Sequence, residues 1–424
     1  MESNIWLLDN SNIMKILVVS QYFWPENFRI NELVKELADH GCHVTVLTGL
    51  PNYPAGKIFS EFKKDPKKYS YYENIRVYRV PIILRGGTKI RLVFNYVSFV
   101  ISGSILGSLL LRKEKFDEIF VFQTSPITAV IPAILLKRQN LAKLSVWVLD
   151  LWPEALIAMK VIKKGLIFKM FEFLVMWIYK NTDRIYISSL GFLPSVIRYA
   201  PKQLNPIYFP QWVESVCIDK PNFILDSDLK HSLSPEEFNV VYAGNFGESQ
   251  DFESVLIAAK LLKGMGVVIY LVGHGRVREW LNKEILILGL EDVVRILGPY
   301  PENRMPYIYE RASALLVSLR RGPVFTTALP GKVQTYLSIG KPIVGMLDGE
   351  GSRVLKESCA ALVVGAGDSK GLAESLLKIK SMSLEERAHM GAHGVLYADS
   401  NFNKSRLIKF LLSNMGEIQA PNFK

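Results

Sequence analysis

From Met14 to about residue 400, short runs that are almost wholly apolar alternate with longer stretches of helical spacing. In the first half the runs are Lys15–Ser20, His43–Thr48, Ile75–Val80, Glu118–Gln123, Leu144–Leu149 and Arg184–Ser188. In the second half they are Phe238–Ala243, Val267–Val272, Val293–Leu297, Ala314–Leu319, Ile343–Leu347 and Ala361–Val364. Strands apolar on both faces belong to parallel sheets covered by helices on either side. The two series predict an α/β chain of two doubly wound domains, 14–205 and 238–396. Residues 1–13 read as a disordered extension, and 206–237, with its prolines and acids, as a linker. Residues 397–424 read as a C-terminal helix packing back on the first domain. Ligands of such sheets bind beyond the carboxyl ends of the strands, so two facing sheets predict a site in the cleft between them.

The formal charge of +11 is unevenly divided. Residues 1–210 hold 27 Lys and Arg against 16 Asp and Glu, whereas residues 211–424 hold 24 of each. A basic half beside a neutral one suits a chain whose first half alone faces an anionic surface. Nucleic acid is a poor candidate for that surface, because no helix-turn-helix, RNP or zinc pattern accompanies the charge. Cys42, Cys217 and Cys359 are scattered and form no CxxC, which predicts free thiols in a reducing cytosol. The acidic first residues lack the apolar run of a signal peptide.

Leu92 to Leu111 carries no charge over a length that could cross a bilayer. A span there would put strands of one sheet on opposite sides of the membrane, and the run is diluted by Asn95, Ser98, Ser102 and Gly103. A buried or membrane-grazing helix is the better reading. Basic residues interleave with aromatics nearby: Lys63, Lys64, Lys67 and Lys68 with Tyr69, Tyr71 and Tyr72; Arg85, Lys89 and Arg91 with Phe94, Tyr96 and Phe99; Lys163, Lys164 and Lys169 with Phe168, Phe171 and Trp177. Each cation near an anionic leaflet contributes about 1 kcal/mol, and any single cluster is equally well a solvated face. Three clusters in one domain point to peripheral binding at an anionic membrane surface.

The segment with the clearest chemistry is LPGKVQTYLSIGKPIV, residues 329–344. Pro330 and Gly331 break the chain, a helix begins, and Lys332 stands on its first turn. Free N–H groups, the helix dipole and a full charge together make a seat for a diphosphate. A plain turn with a solvated lysine is the bland alternative. A second phosphate-type loop, AGNFGES at 243–249, favours the seat, with donors from Gly244, Asn245, Phe246 and Gly247. Arg320 and Arg321 end the preceding strand and either add charge there or are surface arginines.

These features together resemble the GT-B glycosyltransferases of family 4, which have two Rossmann-like domains facing across a cleft. The likeness is strongest to bacterial enzymes of O-antigen, capsule and colanic-acid assembly, including L-fucosamine transferases. It rests on SQYFWPENFRINELVKELADHG, LTGLPNYPAGKI, VLDLWPE, YAGNFGESQDFESVL, LGPYPENRMPYIYERASALLVSL and LPGKVQTYLSIGKPIVGMLDGEGSRVL, in that order. The resemblance implies metal-independent, retaining transfer of a sugar from a nucleotide-sugar, UDP being the expected nucleotide, to a glycan on undecaprenyl diphosphate. With the free thiols and the basic-aromatic clusters, the expectation is a cytoplasmic enzyme held peripherally at the inner membrane, with no cofactor. The base would lie along Gly298-Pro299-Tyr300, with Gly273-His274-Gly275 lining the same cleft.

The resemblance also has gaps. Two glutamates eight positions apart in commoner members fall here on Thr327 and Thr335, and Glu350 is a candidate to replace the missing carboxylate. The usual Arg and Lys of the first loop are replaced by Asn245 and Gln250, which throws more weight on Lys332. In the first domain Asp150 is the candidate catalytic residue, working on the acceptor or the developing sugar cation. Glu154 is either catalytic or a first-turn helix acid. Glu26, Asn27 and Arg29, facing the cleft from the acceptor side, either hold an acceptor phosphate or the donor diphosphate or cap the next helix. Asp226-Ser227-Asp228 reads as linker rather than a metal motif, and His389 with His393 lacks the glutamate of a zinc site. A UDP-sugar epimerase of the same architecture, or a non-catalytic membrane assembly partner, are the rival readings.

Overall fold

The computed structural model describes residues 13–158, 161–213, 233–234 and 236–416. The chain forms two compact units; the second comprises Ser189–Gly191 and Pro210–Leu407, and the first comprises the rest.

The first unit is built on β1 (Lys15–Val19), β2 (His43–Gly49), β3 (Tyr71–Tyr72), β4 (Ile75–Val80), β5 (Glu118–Gln123), β6 (Lys143–Val148), β7 (Arg184–Ile187) and β8 (Ile207–Tyr208). Their order is β3-β4-β2-β1-β5-β6-β7-β8, with only β3 antiparallel to its neighbour. The chain winds outward from β1 in one direction and from β5 in the other, so the crevice at their carboxyl ends is the topological switch point. β8 lies at the start of the expected linker: Ile207 and Tyr208 pair with β7 and extend the sheet. Most of the remaining linker, including Asp226-Ser227-Asp228 and Cys217, lies outside the described residues, as do residues 1–12.

The uncharged run forms a single helix, Lys89–Leu110. It is long and apolar enough to cross a membrane, and one of its faces packs on the first unit. Asn95 and Phe99 are buried, and Gly103 and Gly107 lie so close to Pro132 and Leu47 that an added Cβ would come within 3.0 and 2.9 Å of them. Small residues therefore face the body of the first unit, and the large apolar ones face out: Ile90 is 71% exposed, Phe94 54%, Ile101 55% and Ile105 58%. Of the two expected alternatives, a buried or a membrane-grazing helix, this exposure removes the first. Leu166, Ile167, Met170 and Phe173 on the helix Leu166–Lys180 are exposed as well.

The second unit has six parallel strands, β9 (Phe238–Ala243), β10 (Val267–Val272), β11 (Val294–Leu297), β12 (Ala314–Ser318), β13 (Ile343–Met346) and β14 (Ala361–Val364). Their order is β11-β10-β9-β12-β13-β14. Alternate residues divide between two cores: Val240, Tyr242, Ile269 and Leu271 on one face, Val241, Ala243, Val268 and Tyr270 on the other. That double burial is why the strands are apolar without alternation. The C-terminal region is two helices, Leu384–Phe402 and Lys404–Met415, so the expected boundary at residue 397 falls inside the first of them.

Candidate active site

At the carboxyl ends of β9 and β10 the second unit holds a cavity of about 460 Å³. Gly244, Asn245, Gly273, His274, Tyr300, Gly331, Lys332 and Thr335 line it, together with Met305, Tyr309 and Tyr336. The sequence had marked the first eight. Met305, Tyr309 and Tyr336 are additions from the structure, since nothing in their spacing separates them from core residues.

The helix Gly331–Ile339 points its first turn at this cavity, and its N-cap Pro330 supplies no side-chain cap. Val333 N–H donates to Pro330 O at 2.9 Å, which leaves the Gly331 and Lys332 amides without intrahelical acceptors. Tyr336, one turn on, ties this helix to β9: its hydroxyl accepts the Ala243 amide at 2.7 Å and lies 3.3 Å from the Ala243 carbonyl. Helix start and loop start are thereby held in register.

Lys332 reaches back across the loop. Its Nζ donates to Gln250 Oε1 at 3.0 Å and sits 3.5 Å from the centroid of the Tyr242 ring. No carboxylate pairs with it among the described residues, and burial pushes its ammonium well below the ordinary lysine range. An enclosed cation facing only an amide oxygen and a ring face is a site that a diphosphate would complete. The loop behind it is tightly packed. Gly273 has φ +144°, and a Cβ there would fall 2.0 Å from the Gly244 carbonyl oxygen.

Several expected donors are not available. The Gly244 amide donates to Val272 O and the Phe246 amide to His274 O, each at 2.9 Å. Phe246 is fully buried against Tyr242 and Phe252, so it is core rather than a ligand contact. Gly247 is not among the lining residues; it precedes the short turn Glu248–Gln250. Arg320 lies outside this cavity, 3.3 Å from Glu253 and 4.0 Å from Asp251. Glu350 does not replace the missing glutamates at the cavity wall either. It is buried and its carboxylate is engaged by Arg353 at 2.7 Å.

In the first unit Asp150 follows β6, exposed, with its carboxylate accepting the Ser125 amide at 3.1 Å. Glu154 turns inward: Ser195 and Tyr199 donate to its Oε1 at 2.8 and 3.3 Å. That makes it a structural carboxylate at the start of the helix Glu154–Ala158 rather than a group facing solvent. Glu26 holds no anion. It is buried, and it accepts the amides of Asn52 and Tyr53 at 2.7 Å and of Phe23 at 3.1 Å. Burial raises its carboxyl pKa, while those amides pull the other way. Arg29 pairs with Glu32 at 3.1 Å, Asn27 is exposed, and the helix Arg29–Asp39 has Phe28 at its N-cap with no side-chain cap.

Residues 237–381, which contain the whole cavity lining, match the family model described as glycosyl transferases group 1. The chain carries a glycosyl transferases group 1 domain. It is 25% identical over 342 residues to a relative from Escherichia coli (strain K12) named as the colanic acid biosynthesis glycosyl transferase WcaI, covering 77% of this chain and 82% of that one. Two solved structures share the fold along nearly the whole length. A sucrose-phosphate synthase from Thermosynechococcus elongatus has a TM-score of 0.71 at 14% identity, covering 96% of this chain and 99% of that one. Anabaena Alr3699/HepE, solved with UDP, has a TM-score of 0.67 at 13% identity, covering 96% and 100%. The group 1 domain and the two doubly wound units together make this a GT-B fold.

Proposed function

We propose that the protein is a retaining glycosyltransferase of bacterial surface polysaccharide assembly. It moves an N-acetylated or deoxy sugar from a UDP donor to a glycan carried on undecaprenyl diphosphate. The observation that carries this is the enclosed Lys332 ammonium beside the free first turn of the Gly331–Ile339 helix, inside the group 1 domain. The WcaI likeness supports the surface-polysaccharide setting, and HepE, a protein of the same fold, was solved with UDP.

In the proposed step the bond between sugar C1 and the diphosphate oxygen breaks, and negative charge collects on the leaving phosphate. Lys332 and the Gly331 and Lys332 amides meet that charge, so the seat supplies its own cation and the transfer is metal-independent. One lost donor of this kind costs roughly 3–4 kcal/mol. The acceptor hydroxyl oxygen bonds to C1, its proton passes to the departing diphosphate, and Asp150 orients the acceptor. His274 and Tyr300 flank the nucleotide, and Thr335 hydrogen-bonds in place of a glutamate.

The enzyme works at the cytoplasmic face of the inner membrane, held by the exposed apolar faces of the helices Lys89–Leu110 and Leu166–Lys180 and by the positive charge of its first half. A panel of UDP-sugars assayed with a lipid-diphosphate acceptor tests the reading. Acceptor-dependent UDP release is expected. Conversion of the sugar without acceptor makes the protein an epimerase, and failure to bind UDP makes it a non-catalytic partner.

A further inference from the structure

The loops after β1 and β2 meet, in the segment that follows β4, an arginine that the proposed chemistry does not use. Arg85 is half-buried, with its guanidinium 5.0 Å from the Tyr53 ring centroid and Nη1 donating to the Tyr22 hydroxyl at 3.3 Å. No carboxylate forms an ion pair with it among the described residues. Its backbone is fixed, because its amide donates to Asn52 Oδ1 at 2.9 Å and the Asn52 and Tyr53 amides are held by Glu26 at 2.7 Å. Tyr22, Phe28 and Tyr53 form one aromatic wall beside it, with centroids 5.1–5.4 Å apart. A pre-positioned guanidinium on an aromatic wall, with no acid of its own, is a site for a phosphate oxyanion.

What adjoins it says which phosphate. Four residues on, the helix Lys89–Leu110 begins, and its exposed stripe Ile90, Phe94, Val97, Ile101, Ile105 and Leu109 runs away from Arg85. That stripe is about 28 Å long at 1.5 Å per residue, the scale of a lipid chain rather than of a nucleotide. Water-facing helices normally carry charge on such a face. An anion site at the head of an apolar track matches a molecule with a charged head and a long apolar tail.

We propose that Arg85 binds the diphosphate head of the lipid-linked acceptor, whose chain lies along the exposed face of the Lys89–Leu110 helix at the membrane. This rests on the reading of the protein as a transferase to a lipid-linked glycan.

The test is calorimetric binding of farnesyl diphosphate, farnesol and inorganic pyrophosphate to the full chain carrying Lys332→Ala, which disables the donor seat. Farnesyl diphosphate is expected to bind more tightly than either fragment. Adding Arg85→Ala should weaken it at least tenfold, and Arg85→Lys should weaken it less. Both Arg85 changes, made alone in the otherwise native chain, should leave UDP binding and the thermal midpoint in place, which separates failure here from failure of the donor site. Equal affinity of the Arg85→Ala chain for farnesyl diphosphate, equal binding of farnesol, or no binding of farnesyl diphosphate at all would each overturn the proposal.

Discussion

Lys332 Nζ donates to Gln250 Oε1 at 3.0 Å, across 82 residues of sequence, and this contact joins the two phosphate-type segments of the second unit. Gln250 stands where the resemblance to family 4 leads one to expect a cation. The ammonium is instead delivered from the facing helix, and the glutamine holds it in place.

An enclosed, uncompensated lysine costs stability. Its folded-state pKa is lowered by burial, so between that value and the ordinary lysine value the unfolded chain binds more protons than the folded one. Stability contributed at this position therefore rises with pH across that window. Lys332→Met should raise the thermal midpoint of the ligand-free protein by about 2–4 °C at neutral pH, and the gain should shrink as pH rises. Differential scanning calorimetry at several pH values checks both. A destabilised Lys332→Met protein would show that the lysine serves structure rather than ligand.

Gly273→Ala should damage the loop directly. The added methyl meets the Gly244 carbonyl at 2.0 Å with φ at +144°, a region that side chains avoid. Rearranging it should cost on the order of 1–3 kcal/mol and weaken UDP binding as well, read by thermal unfolding with and without UDP.

Glu26→Ala is expected to behave as a structural lesion. It leaves the buried amides of Phe23 and Asn52 and the partly buried amide of Tyr53 without their acceptor. At about 1–3 kcal/mol each, the loss is on the order of 3 kcal/mol or more. UDP affinity of the folded fraction should be unchanged, because the second unit's cavity has no part in it.

Membrane association has its own readout. Ile101→Glu with Ile105→Glu places two charges on the exposed stripe without touching the buried face of the helix. Flotation with vesicles containing anionic lipid should fall several-fold, with UDP binding retained. Unchanged flotation would remove this helix from the membrane contact.

The framework of both sheets could be read in the chain because β-strands buried on both faces are forced to be apolar throughout. All twelve long runs reappear within a residue at either end, from Ile75–Val80 to Ala361–Val364. The strands that escaped, Tyr71–Tyr72 and Ile207–Tyr208, are two residues long and sit on sheet edges. Too short to carry a pattern, they are recruited by pairing alone. Site residues were harder. Lys332 and Gly273 stood out because glycine and lysine at a turn are locally odd. Phe246 and Glu154 were misplaced because whether a side chain turns inward is decided by distant partners, Phe252 for one and Ser195 for the other. Tyr336 clasps Ala243 from 93 residues away, and no local signal marks that.

The central claim is that Lys332 seats a nucleotide diphosphate, and calorimetric titration of UDP into the native protein and Lys332→Ala tests it most directly. The native chain should bind UDP, with the enclosed Lys332 ammonium pairing with the diphosphate. Lys332→Ala should bind at least tenfold more weakly. Equal affinity in the two proteins, or no binding by either, would contradict the account.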